Sequence, residues 1–120
     1  MRPSLKTKIT TPKFAETCAW YQRLFGMAVA ETWEEQEDRG AILAFPTGDG
    51  EALLEIYYGE TLADFSGVSL QFRVGDLEAF RRALPADVPY GGPNKRPWGS
   101  TYLYLRDPND IAVVVFEGGY

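Results

Sequence analysis

The sequence contains no histidine, and its only cysteine is Cys18. Histidine is the commonest metal ligand and the usual general base near neutral pH, so other residue types would have to fill both roles. Structural zinc sites depend on cysteine and histidine, which argues against one, whereas an oxygen-ligated Mg²⁺, Mn²⁺ or Ca²⁺ site stays open. A lone cysteine also excludes an intrachain disulfide, and we therefore expect a reducing, cytoplasmic location.

Basic clusters and long apolar runs are absent as well. The net charge is −5, from 12 Lys and Arg against 17 Asp and Glu, which argues against nucleic acid or an anionic membrane as the partner. The opening segment MRPSLKTKITTPK has no apolar region of the signal-peptide type, and nothing resembles a membrane span. The 120 residues, 45% of them hydrophobic, suffice for a single domain with its own core, residues 1–120.

What is present is a pattern of strands and helices that occurs twice. In the first half the pattern predicts strands and one helix at 5–11, 13–26 (helix), 28–34, 40–46 and 51–58. In the second half it predicts them at 68–74, 77–84 (helix), at best a short strand in 87–92, and then 100–105 and 111–117. Thr11 and Asp76 are the predicted helix caps, and Gly26 the predicted stop.

This order indicates an α+β fold made of two βαβββ modules, 5–58 and 67–117. Each module would have a sheet with one apolar face and one helix to cover it. Together the modules would form a curved mixed sheet with the helices outside and a concave cup inside.

The strand at 68–74 alternates strictly, with Ser69, Gln71 and Arg73 on the face opposite its apolar residues. A polar sheet face either meets solvent or lines a binding site, and the alternation alone allows both.

Three segments occur in order along this pattern: AWYQRLFG (19–26), FRVGDLEAF (72–80) and PWGSTYLYLRDP (97–108). With the doubled βαβββ order they resemble the vicinal oxygen chelate superfamily, the group of glyoxalases, bleomycin-resistance proteins and extradiol dioxygenases. The resemblance implies that both modules form a cup, usually within a dimer. It also implies that enzymatic members bind a metal there through a His or Gln on the first strand and a Glu on the last strand of each module.

By this resemblance the four metal-ligand positions are Lys6, Glu55, Ser69 and Val114. Only Glu55 is a ligand of the expected kind, and a lone carboxylate does not hold a divalent ion against water. Glu117 lies three residues beyond Val114, an odd spacing that predicts the opposite face of the strand. We therefore expect no metal ion and no other cofactor.

If the ligand positions mark the concave face, strand alternation predicts which other side chains line it. The predicted ligand-binding residues are Lys6, Lys8, Glu55, Tyr57, Ser69, Gln71, Arg73, Tyr102 and Tyr104, with Trp33 at a rim and Trp98 in a loop. Rings and cations favour a planar or aromatic small molecule with an acidic or polar group. The resemblance adds that metal-free members sequester antibiotics, often between Trp and Tyr rings.

The same residues also have purely structural explanations. The polar face of 68–74 could meet solvent, and Lys6 and Lys8 could protect an edge strand against aggregation. Arg73 could form a simple cross-strand ion pair with Glu55.

Three functions stay open at this point. The preferred one is a metal-independent small-molecule binding protein. The others are a metal-dependent lyase, isomerase or dioxygenase using Glu55 and Glu117, and a metal-free enzyme with Glu55 as the base and Lys6 or Arg73 stabilising an oxyanion. A homodimer is expected by analogy, because pairing would cover an open sheet edge, and the tyrosines of strand 100–105 could then lie in the interface.

Overall fold

The computed structural model describes residues 3–46, 52–60 and 64–120. The chain divides into two compact units, the first ending at Asp64 and the second spanning Phe65–Tyr120. Each unit contains one βαβββ module, so the doubled element order predicted from the sequence is confirmed. Among the described residues the strands pair within their own module, and the expected mixed sheet is therefore observed as two four-stranded mixed sheets.

The first module follows the predicted order closely. Its elements are β1 (Leu5–Thr11), α1 (Phe14–Phe25), β2 (Ala28–Glu35), β3 (Asp38–Ala44) and β4 (Ala52–Tyr58). The strands lie in the order β1-β4-β3-β2, with β1 parallel to β4 and the other pairs antiparallel. Residue 51, the predicted start of the last strand, lies outside the described residues.

The second module repeats this topology. Its elements are β5 (Ser69–Arg73), α2 (Leu77–Ala83), β6 (Gly91–Lys95), β7 (Thr101–Arg106) and β8 (Ala112–Glu117), in the order β5-β8-β7-β6. The strand predicted within 87–92 was misplaced, because it lies at Gly91–Lys95 instead. The sequence GGPNK has little intrinsic strand preference, and its pairing with β7, with a register shift between Gly91 and Asn94, is what makes it a strand.

The helix ends differ in how well the sequence predicted them. Gly26 ends α1 as predicted, with a left-handed φ of 65° that glycine adopts without strain. Thr11 is not the helix cap, because it is still part of β1. Its hydroxyl oxygen accepts a hydrogen bond from the Lys13 N–H at 2.9 Å and turns the chain into a helix that begins at Phe14.

The start of α2 is capped from two sides. Asp76 is the cap that the sequence predicts, and its Oδ1 accepts a hydrogen bond from the Ala79 N–H at 3.0 Å. Glu117 of β8 adds a second acceptor, because its Oε1 takes the Leu77 N–H at 3.0 Å. Both carboxylates lie at the positive end of the helix, where negative charge is favourable.

Each helix covers one face of its own sheet, and the core of each module lies between its helix and its sheet. In the first module α1 packs on β3 and β4, and the fully or nearly buried side chains are Ile9, Tyr21, Leu43, Leu54 and Ile56. In the second module α2 packs on β8, and the corresponding side chains are Leu77, Leu103, Leu105, Val113 and Val115. The alternate residues of each strand therefore lie on the sheet face away from the helix.

No helix in the described ranges has the length and apolar character needed to cross a membrane.

Candidate functional site

The strand register of the first module gathers its predicted site residues on one sheet face. Lys8 lies opposite Glu55, and Trp33 lies opposite Gly40, which in turn lies opposite Tyr57. Side chains of directly paired residues point to the same face of a sheet. The residues Lys6, Lys8, Trp33, Glu55 and Tyr57 therefore share the face away from α1.

Glu55 is a buried carboxylate held by two lysines. It is only 7% exposed. Its Oε1 lies 2.8 Å from Lys6 Nζ, and its Oε2 lies 3.9 Å from Lys8 Nζ. The lysine side chains remain 47% and 51% exposed, so both ammonium groups are accessible from solvent. The buried carboxylate is therefore paired, as a buried charge must be. Because two lysines surround one carboxylate, the cluster keeps a net charge of about +1.

A second cluster on this face centres on Asp38, which the sequence analysis did not single out. Trp33 Nε1 donates a hydrogen bond to Asp38 Oδ1 at 2.9 Å, and the Tyr57 hydroxyl is hydrogen-bonded to the same carboxylate. Lys8 Nζ lies 4.3 Å above the centre of the Tyr57 ring. The Trp33 ring covers Gly40 so closely that a Cβ there would lie 2.3 Å from it. Glycine at position 40 therefore allows the indole to lie flat on β3.

We expect Asp38→Asn to lower the pKa of Tyr57. In the native protein the hydrogen bond to the Asp38 carboxylate raises that pKa, and burial and the nearby negative charges add to the rise. Because the folded state holds the proton more tightly than the unfolded state, this contribution is fully present below the unfolded pKa of about 10 and is lost as the pH rises through the folded pKa. Ultraviolet titration of the native protein and the Asp38→Asn variant measures the change in this pKa. Titration of the Tyr57→Phe protein shows which ionisation belongs to Tyr57. Ionisation of native Tyr57 at or below the pH of an unperturbed tyrosine would contradict this assignment.

The second module places its predicted residues on one face in the same way. Gln71 and Tyr104 lie on either side of Val114, and Arg73 and Tyr102 lie on either side of Phe116. Ser69 precedes them on β5, opposite Ala112. The face away from α2 therefore carries Ser69, Gln71, Arg73, Tyr102, Tyr104 and Phe116.

Four aromatic rings form a continuous series in this module, which we call the aromatic row: Trp98, Tyr102, Phe116 and Tyr120. Successive ring centroids are 6.2, 5.7 and 6.0 Å apart. Trp98 is 66% exposed and sits on a turn closed by a hydrogen bond from the Arg96 N–H to the Ser100 carbonyl. Its Nε1 donates to the Tyr102 hydroxyl at 3.1 Å, which orients the exposed indole.

Two guanidinium groups flank the aromatic row. Arg73 Nε donates to the Gly118 carbonyl at 2.6 Å, and its guanidinium lies 5.0 Å from the Tyr120 ring centre. A cavity of about 320 Å³ opens beside these groups. Arg96, which the sequence analysis missed because it lies in a loop outside any periodic pattern, donates through Nη2 to the Tyr104 hydroxyl at 3.2 Å. Both arginines are free of carboxylate partners among the described residues.

Arg73 and Glu55, which the sequence analysis considered as a simple ion pair, have other partners in the structure. Arg73 bonds within its own module to Gly118, and Glu55 within its own module to Lys6 and Lys8. Glu117 points to the helix side, as its odd spacing from Val114 predicts, because its carboxylate accepts the α2 hydrogen bond.

The sequence profile of the glyoxalase/bleomycin resistance protein/dioxygenase superfamily matches residues 5–115. The chain belongs to this superfamily. The resemblance inferred from the sequence is thereby confirmed. No curated protein matches this chain significantly.

Several solved structures share its fold. The fosfomycin resistance protein FosX from Listeria monocytogenes is 12% identical, with 99% of this chain and 96% of that chain covered and a TM-score of 0.80. TnmS3, an antibiotic binding protein from Streptomyces sp. CB03234, is 18% identical, with 99% of both chains covered and a TM-score of 0.76. A glyoxylase/bleomycin resistance protein/dioxygenase domain from Frankia sp. EAN1pec is 18% identical, covered over 99% and 93%, with a TM-score of 0.78.

The two modules of this superfamily member can be aligned by their strand register. Lys8 lies opposite Glu55 in the first module, and Gln71 lies opposite Val114 in the second. Glu55 and Val114 therefore occupy equivalent positions on the last strand of each module, which supports the alignment used for the metal-ligand positions.

The residues at those positions do not fit a divalent metal ion. Lys6 places an ammonium group against the Glu55 carboxylate, and Val114 has no donor atom. The Ser69 hydroxyl accepts a hydrogen bond from Gln71 Nε2 at 3.3 Å. Within residues 3–46, 52–60 and 64–120 no three His, Cys, Asp or Glu side chains come together in a metal-binding group. A divalent metal ion needs several carboxylate or imidazole ligands at the same time.

Proposed function

We propose that this superfamily member is a metal-independent binding protein for a planar or aromatic small molecule that carries an acidic group. The observation that carries the proposal is the aromatic row beside Arg73 and Arg96. The chain as a whole has a charge of −5, but the residues of β5 to β8 on this face include arginine and no acid. The face is therefore cationic on an acidic protein.

Flat rings recognise flat ligands. Each aromatic contact contributes about 0.5–1.5 kcal/mol beyond the burial of apolar area. The exposed Trp98 ring and the half-buried Tyr102 ring are available for such contacts. Hydrogen bonds from a guanidinium to an ionised acid are about twice as strong as neutral ones, so Arg73 and Arg96 would favour an acidic group on the ligand.

The structural neighbours support the ligand class. TnmS3 is described as an antibiotic binding protein and FosX as a fosfomycin resistance protein. We include antibiotics among the ligands proposed for this chain. A metal-dependent reaction through Glu55 and Glu117 loses support, because lysines hold the first carboxylate and the α2 backbone holds the second.

We also propose that the protein acts in the cytoplasm as a homodimer. In the first module β2 is an edge strand whose residues are almost all exposed, including Val29 at 45%. Exposed edge strands are prone to pair with another chain. Light scattering of the purified protein should therefore give the mass of two chains, and the mass of one chain would refute the dimer.

The binding proposal is tested with protein that has been treated with a chelator. We expect a planar carboxylate such as 2-naphthoate to quench the tryptophan fluorescence saturably and to raise the melting temperature. The neutral amide of the same ring serves as the matched control and should bind more weakly, because it cannot form a charge-assisted hydrogen bond. Adding Mn²⁺, Ni²⁺ or Zn²⁺ should leave the affinity unchanged.

Two outcomes would count against this function. If no planar acid in a broad panel shifts the melting temperature of the folded protein, the binding proposal fails. If binding appears only after a metal ion is restored, metal independence fails.

A further inference from the structure

We infer that Tyr102 and Tyr104 select ligands whose flat ring system carries hydrogen-bond acceptors in addition to the acidic group. The inference rests on the proposed function and names the ligand class of the same face. It follows from the hydrogen bonds that the two tyrosine hydroxyls already make, which use their oxygens and leave their protons available.

The Tyr102 hydroxyl acts as an acceptor. Its partner, Trp98 Nε1, lies 3.1 Å away, and an indole N–H can only donate. One lone pair of the tyrosine oxygen is therefore engaged, and the hydroxyl proton is free to point elsewhere. No side chain or carbonyl in the described part of the chain accepts that proton.

The Tyr104 hydroxyl is arranged in the same way. Arg96 Nη2 lies 3.2 Å from its oxygen, and a guanidinium also can only donate. The positive charge of Arg96 polarises the O–H bond and makes the hydroxyl a stronger donor. Its proton likewise has no acceptor among the residues that the structure describes.

The two donors face the same side of β7. Tyr102 and Tyr104 are two residues apart on that strand, which corresponds to about 7 Å along it, and both are half-buried. The apolar side chains of Val114 and Phe116 lie opposite them on β8. A flat ligand on this surface would cover both hydroxyls, and burying a donor without an acceptor is unfavourable because the donor loses its hydrogen bonds to water. A ligand without ring acceptors is therefore penalised twice, whereas one with acceptors gains both hydrogen bonds.

The first module provides an internal contrast. The Tyr57 hydroxyl is hydrogen-bonded to the Asp38 carboxylate, and the Trp33 N–H donates to the same group. Both protons of that aromatic pair are already satisfied. Among the tyrosines that line the two sheet faces described above, those with available protons are on β7, which is why we assign the selection to them.

The experiment compares two probe ligands of similar shape and equal charge by calorimetry on the full chain. Chromone-2-carboxylate carries a ring carbonyl and a ring oxygen, whereas 2-naphthoate has no ring acceptor. We expect the native protein to bind the chromone more tightly by about 3- to 10-fold for each hydrogen bond formed. In Tyr102→Phe and in Tyr104→Phe the ratio of the two affinities should fall towards one, since each keeps the ring and loses the donor.

Tyr58→Phe is the matched control, because Tyr58 is paired with Thr11 on the helix side and its loss of a hydroxyl should leave the ratio unchanged. Melting temperatures close to the native value show that the variants fold. Equal affinity for both probes, or a ratio that neither phenylalanine variant lowers, would overturn the acceptor preference and leave the binding function standing. Failure of both probes to bind would overturn the proposed function with it.

Discussion

Replacing Leu103 with alanine is expected to lower the free energy of unfolding by about 2–5 kcal/mol. Leu103 lies in the middle of β7 with no exposed surface, opposite Val115, which is also fully buried. The substitution removes apolar contacts and leaves a cavity that a packed sheet fills only in part. For a chain of this length, each kcal/mol corresponds to roughly 3–6 °C in melting temperature, so the loss is easily measured.

Leu5→Ala is the matched control for this experiment. It deletes the same atoms from a side chain that is 68% exposed. We expect a change within about 0.5 kcal/mol, as for surface substitutions in general. Chemical denaturation of the native protein and both variants measures the difference. Similar losses for the two variants would show that the core between α2 and its sheet has been wrongly assigned.

Most of the fold could be predicted because strand alternation is a local property. The polar and apolar sides of 68–74 follow from a two-residue period, and in the structure Leu70 and Phe72 are half-buried whereas Ser69, Gln71 and Arg73 are exposed. Helix α1 ends at Gly26 because glycine adopts the left-handed conformation there, which is also a local effect. Such features need no knowledge of distant contacts.

The misplaced strand β6 shows where local information ends. Its residues, GGPNK, are all exposed and have low strand propensity. They form a strand because Asn94 and Lys95 pair with Tyr102 and Thr101 of β7. The partner strand, rather than the segment itself, determines this conformation, and a single sequence does not reveal the partner.

The candidate site likewise combines features that a local pattern predicts with features that depend on distant contacts. Alternation places Lys6, Lys8 and Glu55 on one face, but the ion pairs between them depend on the parallel register of β1 and β4. Asp38 and Arg96 were missed because their roles arise from the geometry of hairpin turns. A tryptophan at the end of a strand with an acid just across the turn, as in Trp33 and Asp38, is a weak sequence signal that could have indicated the contact.

The two modules share a topology and differ in chemistry. In the first, the Glu55 carboxylate offsets part of the lysine charge, and the Asp38 carboxylate binds the indole and hydroxyl groups, so each polar cluster contains an acid. In the second, Arg73 and Arg96 meet only neutral oxygens and rings. Charge and hydrogen-bond donors therefore remain available on the second face, which is the physical reason for locating an acidic ligand there.

Trp98→Ala is accordingly expected to weaken the binding of 2-naphthoate by about 30-fold, which corresponds to about 2 kcal/mol for a buried tryptophan contact. The indole is 66% exposed in the free protein, so little of its contact energy is used for folding. We expect the free energy of unfolding to change by less than about 0.5 kcal/mol. Fluorescence would lose a reporter with this tryptophan, so calorimetry is the measurement of choice.

Tyr58→Ala separates loss of a binding contact from loss of any exposed ring. Tyr58 is 44% exposed, lies on the helix side of the first sheet and packs against Arg39, whose guanidinium is 4.4 Å from its ring centre. Its removal should leave 2-naphthoate affinity unchanged. Trp98→Phe should give an intermediate affinity, because it retains a ring and loses the hydrogen bond to Tyr102. If Trp98→Ala binds the ligand as tightly as the native protein does, the aromatic row is not the binding surface, because its most exposed ring would then contribute nothing to the complex.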